Sequence, residues 1–127
     1  MSAGQLLGRW GPAVAYMGLI FQLSSLASVP NVAPDTVSHL LEYVGLGALL
    51  LRAIAPVASP VAVRRVVLAG LLGGLYGLSD EFHQRFVPGR QAEWKDVVMD
   101  QIGALLGACG TALALRRRQG LPKGASR

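Results

Sequence analysis

Residues Val37–Ile54 read VSHLLEYVGLGALLLRAI. At about 1.5 Å of rise per residue, a helix of this length comes close to the hydrocarbon thickness of a bilayer, about 30 Å. Its only ionisable side chains besides tyrosine are His39, Glu42 and Arg52. Such a run is either a membrane span or a deeply buried core helix, and in both settings its ionisable groups require partners. His39, Glu42, Tyr43 and Leu46 fall at i, i+3, i+4 and i+7, which stacks the first three on one face near the amino-terminal end of the run.

Three further apolar runs lie around this one. Trp10–Val29 carries no charge, Val66–Leu78 is short, and Val97–Leu115 holds only Asp100. The chain has 127 residues, of which 52% are hydrophobic and 15% charged. Its mean hydropathy is +0.44. That balance excludes an ordinary water-soluble domain. The expected fold is all-α, an integral membrane bundle of four transmembrane helices. Residues 1–115 form the bundle, and residues 116–127 a basic cytoplasmic tail that is disordered past Gly120. The apolar run at Trp10 exceeds the length of a secretory signal core, so it is read as a retained helix. The single cysteine, Cys109, lies within the fourth run and allows no intrachain disulfide.

The charges separate by side. With four spans, Arg9, Arg52, Arg64, Arg65, Arg116, Arg117, Arg118, Lys123 and Arg127 share one side with no acid among them. The other side carries Arg85, Arg90 and Lys95 against all seven acids. Lysine and arginine are retained on the cytoplasmic side, so both termini are expected there and the acidic cluster on the outer side. The pI of 10.2 then reflects contact with anionic membrane lipids, and no nucleic-acid partner is needed to explain it.

Five of the seven acids and one of the two histidines fall in Ser79–Asp100, SDEFHQRFVPGRQAEWKDVVMD. Pro88-Gly89 predicts a turn that sets Arg90 above the carboxylates. The Val66–Ser79 run spans only about 21 Å as a helix, which draws Asp80, Glu81 and His83 toward the hydrocarbon boundary. Asp96, Asp100, Gly103, Gly107 and Gly110 run down one side of the fourth segment. Gly70, Gly73, Gly74 and Gly77 do the same in the third, so these two helices are expected to approach closely. In the first segment, Tyr16 is expected to be a packed aromatic and Gln22 an interhelical hydrogen-bonding residue.

Taken together, Asp35-Thr-Val-Ser-His39-Leu-Leu-Glu42-Tyr43, the block Asp80-Glu81-x-His83-Gln84-x-x-x-Pro88-Gly89-Arg90, and Asp96, Asp100 with Gly103 and Gly107 resemble the VanZ-like family of bacterial membrane proteins. Thr36 stands where the family pattern has a basic residue. The resemblance runs from about Trp10 to Leu115. It implies a link to low-level resistance to the glycopeptide teicoplanin, and it brings no established reaction with it. Its shared polar positions in this chain are His39, Glu42, Asp80, Glu81, His83, Gln84, Arg90, Asp96 and Asp100.

Three uses of these residues compete. In the first, they satisfy one another and lock the outer ends of the helices. In the second, they form an outward-facing pocket for an anionic cell-envelope component or a glycopeptide, with Arg90 as anchor and Glu81, Gln84, Asp96 and Asp100 orienting the ligand. In the third, His83 or His39 transfers protons on a lipid-linked substrate, with Asp80 or Glu42 orienting the imidazole. Two histidines and several carboxylates also offer donors to a divalent metal, but the spacing is not diagnostic, and neither a metal nor another cofactor is expected. The chain has no serine elbow and no H-E-x-x-H motif. No inverted repeat marks a transporter. A homo-oligomer is compatible with the pattern.

Overall fold

The computed structural model describes residues 1–26, 35–55 and 60–120. These form four helices, α1 (Ala3–Ser24), α2 (Asp35–Ile54), α3 (Val63–Gln84) and α4 (Trp94–Gly120), with no strand among the described residues. The helices run up, down, up and down. Arg90, in the α3–α4 connection, reaches the carboxyl end of α1 at one end of the bundle. At the other end Arg9 donates to the Ala55 carbonyl and Arg116 to that of Val61, each at 3.0 Å. Arg9, Arg52 and Arg118 also line a cavity of about 550 Å³ at this basic end.

Each helix departs from its apolar run in a way that has a local cause. α1 starts earlier than Trp10 because Ser2 and Gln5 form a reciprocal capping box. It ends at Ser24, and Ala27–Val29 of the expected run lie outside the described residues. α3 is the largest departure. Its 22 residues span about 33 Å instead of the expected 21 Å. The helix takes in Arg64 and Arg65 at one end and Ser79–Gln84 at the other, so the acids belong to its last turns. α4 likewise continues past Leu115, so Arg116, Arg117 and Arg118 are helical. The rest of the expected tail, residues 121–127, lies outside the described residues.

α4 is the central helix, with its most extensive contact on α2 and its second on α3. The glycines explain both contacts, but with different partners from those expected. Gly103 and Gly107 of α4 face α2, where an added Cβ would run into the carbonyl oxygens of Leu40 and Val44. Gly47 of α2 answers them, lying against the Ala104 carbonyl. The α3 glycines do meet α4, but through its side chains. Gly73 lies against Ala104 and Gly77 against Asp100, with a built Cβ 2.5 Å and 2.7 Å from their Cβ atoms. A Cβ added at Gly110, expected to continue the α4 stripe, would meet no other helix within 4 Å. α1 packs on α2 and α3, where the Tyr16 hydroxyl donates to the Glu42 carbonyl and that of Tyr76 to Met17. Gln22 is exposed.

Size is distributed inside out. α3 buries Gly70, Gly73, Gly74 and Gly77 and exposes Leu71, Leu75, Leu78 and Phe82. α4 buries Gly103, Ala104, Gly107 and Ala108 and exposes Val98, Ile102, Leu106 and Leu113. Small residues inside bring backbones close, and large aliphatics outside are costly in water but not against lipid. Asp35–Ile54 and Trp94–Gly120 are each long and apolar enough to cross a membrane.

Candidate functional site

The polar residues gather where the amino-terminal turns of α2 and α4 meet the carboxyl-terminal turn of α3. The helical period puts His39 of α2, Asp80, Glu81 and Gln84 of α3, and Asp96 and Asp100 of α4 on inward faces, and all six are buried. Asp100 is 0% exposed. It fits there because α3 presents Gly77 opposite its side chain.

His39 is the hub. Its Nδ1 lies 2.9 Å from Asp100 Oδ1, and its Nε2 lies 4.0 Å from Asp96 Oδ2. A carboxylate only accepts, so the Nδ1–H donates to Asp100 and Nε2 is left facing Asp96. Glu81 is held from the connection below it, where the Glu93 backbone N–H donates to Oε1. Gln84 Nε2 donates to Asp80 Oδ2 at 3.4 Å. Asp80 Oδ1, Glu81 Oε2 and Asp100 Oδ2 are buried and have no hydrogen-bond partner among the described residues. Buried polar atoms are rarely left this way, because each costs roughly 1–3 kcal/mol.

Beside His39 and Asp96 lies a cavity of about 300 Å³, lined also by Asp35, Thr36, Gln84, Gly89, Arg90, Gln91 and Glu93. Its outer wall is the α3–α4 connection. Val87–Arg90 form the turn that Pro88-Gly89 predicts, with the Arg90 N–H donating to the Val87 carbonyl and Gly89 at φ 84°. That positive φ is the reason for glycine at the third turn position.

Other residues named from sequence lie elsewhere. Arg90 borders the cavity but does not pair with a carboxylate within 4.0 Å among the described residues. Its Nε–H and Nη2–H donate to the carbonyls of Leu26 and Leu23, at 2.9 Å and 3.0 Å. A cation is favoured at the carboxyl end of a helix, and Arg90 adds a second donor to the Leu23 carbonyl, which already accepts from the Leu26 N–H, so Arg90 ties α1 to the α3–α4 connection. His83 faces α1, with Nε2 3.0 Å from Ser25 Oγ and its ring stacked on Phe21. It makes no hydrogen bond to Asp80 among the described residues, so the expected Asp80–His83 pair is not formed. Glu42 is half-buried one turn along α2 and does not line the cavity. Gln91 and Glu93 line the cavity but belong to no motif in the sequence. Their only signal is a place between two helix ends that both carry site residues.

A helical bundle with large apolar side chains outside, two helices able to cross a membrane and a buried nest of acids around one imidazole defines a membrane protein with a polar interior site. The chain belongs to the VanZ/LLP1 family, whose model matches residues 12–115. Comparison with curated proteins and with solved structures gives no match.

Proposed function

We propose that this VanZ/LLP1 protein crosses the bacterial inner membrane four times, with both termini cytoplasmic. Its polar cavity then opens outward and binds or processes a cell-envelope component. The cavity beside His39 carries this reading, because every side chain that lines it is polar or charged. The charge asymmetry supports the orientation, since the cavity end holds the acids and the opposite end most of the arginines. A volume of about 300 Å³ sits at the lower limit for a small-molecule pocket. It suits a headgroup or one sugar of an envelope component, and a whole glycopeptide such as teicoplanin would meet only its rim.

The His39–Asp100 pair favours a second, catalytic reading. A carboxylate that fixes one imidazole nitrogen and leaves the other facing a cavity is the arrangement a general acid or base requires. One experiment addresses both. Thermal unfolding of the detergent-purified protein is followed with a polyprenyl phosphate, a muropeptide or teicoplanin present, because a ligand of the folded state raises the midpoint. Wild type is expected to shift with one of the three. Under the catalytic reading expression of wild type raises the glycopeptide tolerance of cells, and His39→Gln keeps the thermal shift but does not raise that tolerance. A wild type that shifts with none of them contradicts the envelope-ligand reading, and a fully active His39→Gln removes the imidazole from any chemistry.

A further inference from the structure

We infer that His39 Nε2, Glu81 and Asp96 form a binding site for one divalent cation. One nitrogen or oxygen from each of these three buried residues lies within 4.8 Å of the other two. Two atoms each about 2.1 Å from a cation are at most about 4.2 Å apart, so side-chain adjustments of well under 1 Å to about 1 Å close the set. No backbone movement is needed.

Proximity of acids alone does not make a metal site, and two further features point to a ligand. Glu81 Oε2 is buried without a hydrogen-bond partner among the described residues, and its carboxylate belongs to the triad. A cation held by this carboxylate would supply an interaction that its unpartnered oxygen lacks. The surroundings also orient each donor as metal ligands are oriented. Asp100 accepts from His39 Nδ1, which leaves the Nε2 lone pair for the cation, and the Glu93 N–H fixes Glu81 through its other oxygen. His39 and Asp96 border the 300 Å³ cavity, so coordination positions beyond the three protein ligands face open space.

One imidazole and two carboxylates suit Mn²⁺, Fe²⁺ or Zn²⁺ better than a purely oxygen-seeking ion. The ion also resolves an electrostatic difficulty. Asp35, Glu93 and Asp96 outnumber Arg90 in the cavity wall, which repels an anionic ligand unless a cation is bound. The cation site does not depend on the envelope-ligand reading and is tested without any envelope ligand.

The test uses the full chain in detergent, stripped with EDTA and titrated with Mn²⁺, with electron paramagnetic resonance reporting the bound ion. Mn²⁺ also avoids the exposed thiol of Cys109, which Zn²⁺ would seek. One Mn²⁺ per chain is expected, with electron spin-echo modulation from one imidazole nitrogen. His39→Gln abolishes that modulation. Glu81→Gln and Asp96→Asn weaken binding at least about tenfold, and Asp100→Asn, acting through His39, weakens it about 10–100-fold. His83→Gln leaves affinity and modulation unchanged. Absence of stoichiometric Mn²⁺ from wild type, a spectrum without nitrogen modulation, or modulation that survives His39→Gln overturns the assignment. The wild-type spectrum decides the matter by itself if a variant fails to fold.

Discussion

Gly107→Val is expected to leave no folded protein in detergent. A Cβ at this position of α4 would run into the Val44 carbonyl of α2 and lie 3.0 Å from the Ala48 nitrogen, so the obstacle is backbone and not a side chain that can change rotamer. Overpacking that side chains can absorb costs about 1–3 kcal/mol. Here the two helices must separate, and the α2–α4 contact is the most extensive in the bundle. Every residue of the polar cluster drawn from α2 or α4 is positioned by that contact. Gly110→Val, one turn nearer the carboxyl end, faces open space and is expected to fold as wild type does. Size-exclusion chromatography of the two variants side by side measures the difference. A monodisperse, helical Gly107→Val protein contradicts the α2–α4 packing.

The second large effect is expected at Asp100. Asp100→Ala removes the acceptor from the buried His39 Nδ1–H. The loss is about 1–3 kcal/mol if the stranded imidazole is neutral, and about 3–5 kcal/mol if the pair it broke was ionic. Asp100→Asn keeps an oxygen in place for the same bond and is expected to be the milder change. The comparison of the two in thermal unfolding separates the hydrogen bond from the charge. An Asp100→Ala protein as stable as wild type shows that Asp100 does not hold His39.

Residue by residue, the limits of the sequence have physical reasons. The four helices and the Pro88-Gly89 turn were legible because apolar runs and turn residues are local signals. The shared inward face of His39 and Tyr43 was legible from the helical period. The length of α3 was not, because Arg64, Arg65 and the acids end its hydropathic run without ending its backbone hydrogen bonding. A glycine spacing says that something comes close but not which helix, so Gly103 and Gly107 read as facing α3 and in the fold serve α2. Arg90 reads as lying over carboxylates, since charge pairing is visible in sequence and the carbonyls at the end of α1 are not. The choice of Asp100 as the partner of His39, 61 positions away, follows only from the crossing of α2 and α4 at Gly103.

The account rests on the polar cluster being kept for a ligand and not as a lock between helices. Glu81→Gln tests this most directly, because glutamine retains an oxygen to accept from the Glu93 N–H and replaces the other, unpaired oxygen by a neutral NH2 donor near Asp96 and Asp100. Thermal unfolding of wild type and Glu81→Gln is compared in one detergent with EDTA present, so that no bound cation contributes. Removing one of several crowded carboxylates relieves like-charge repulsion, and the account predicts a midpoint for Glu81→Gln equal to or above that of wild type. A clear fall in the midpoint would mean that the Glu81 charge holds the helix ends together, which contradicts the account.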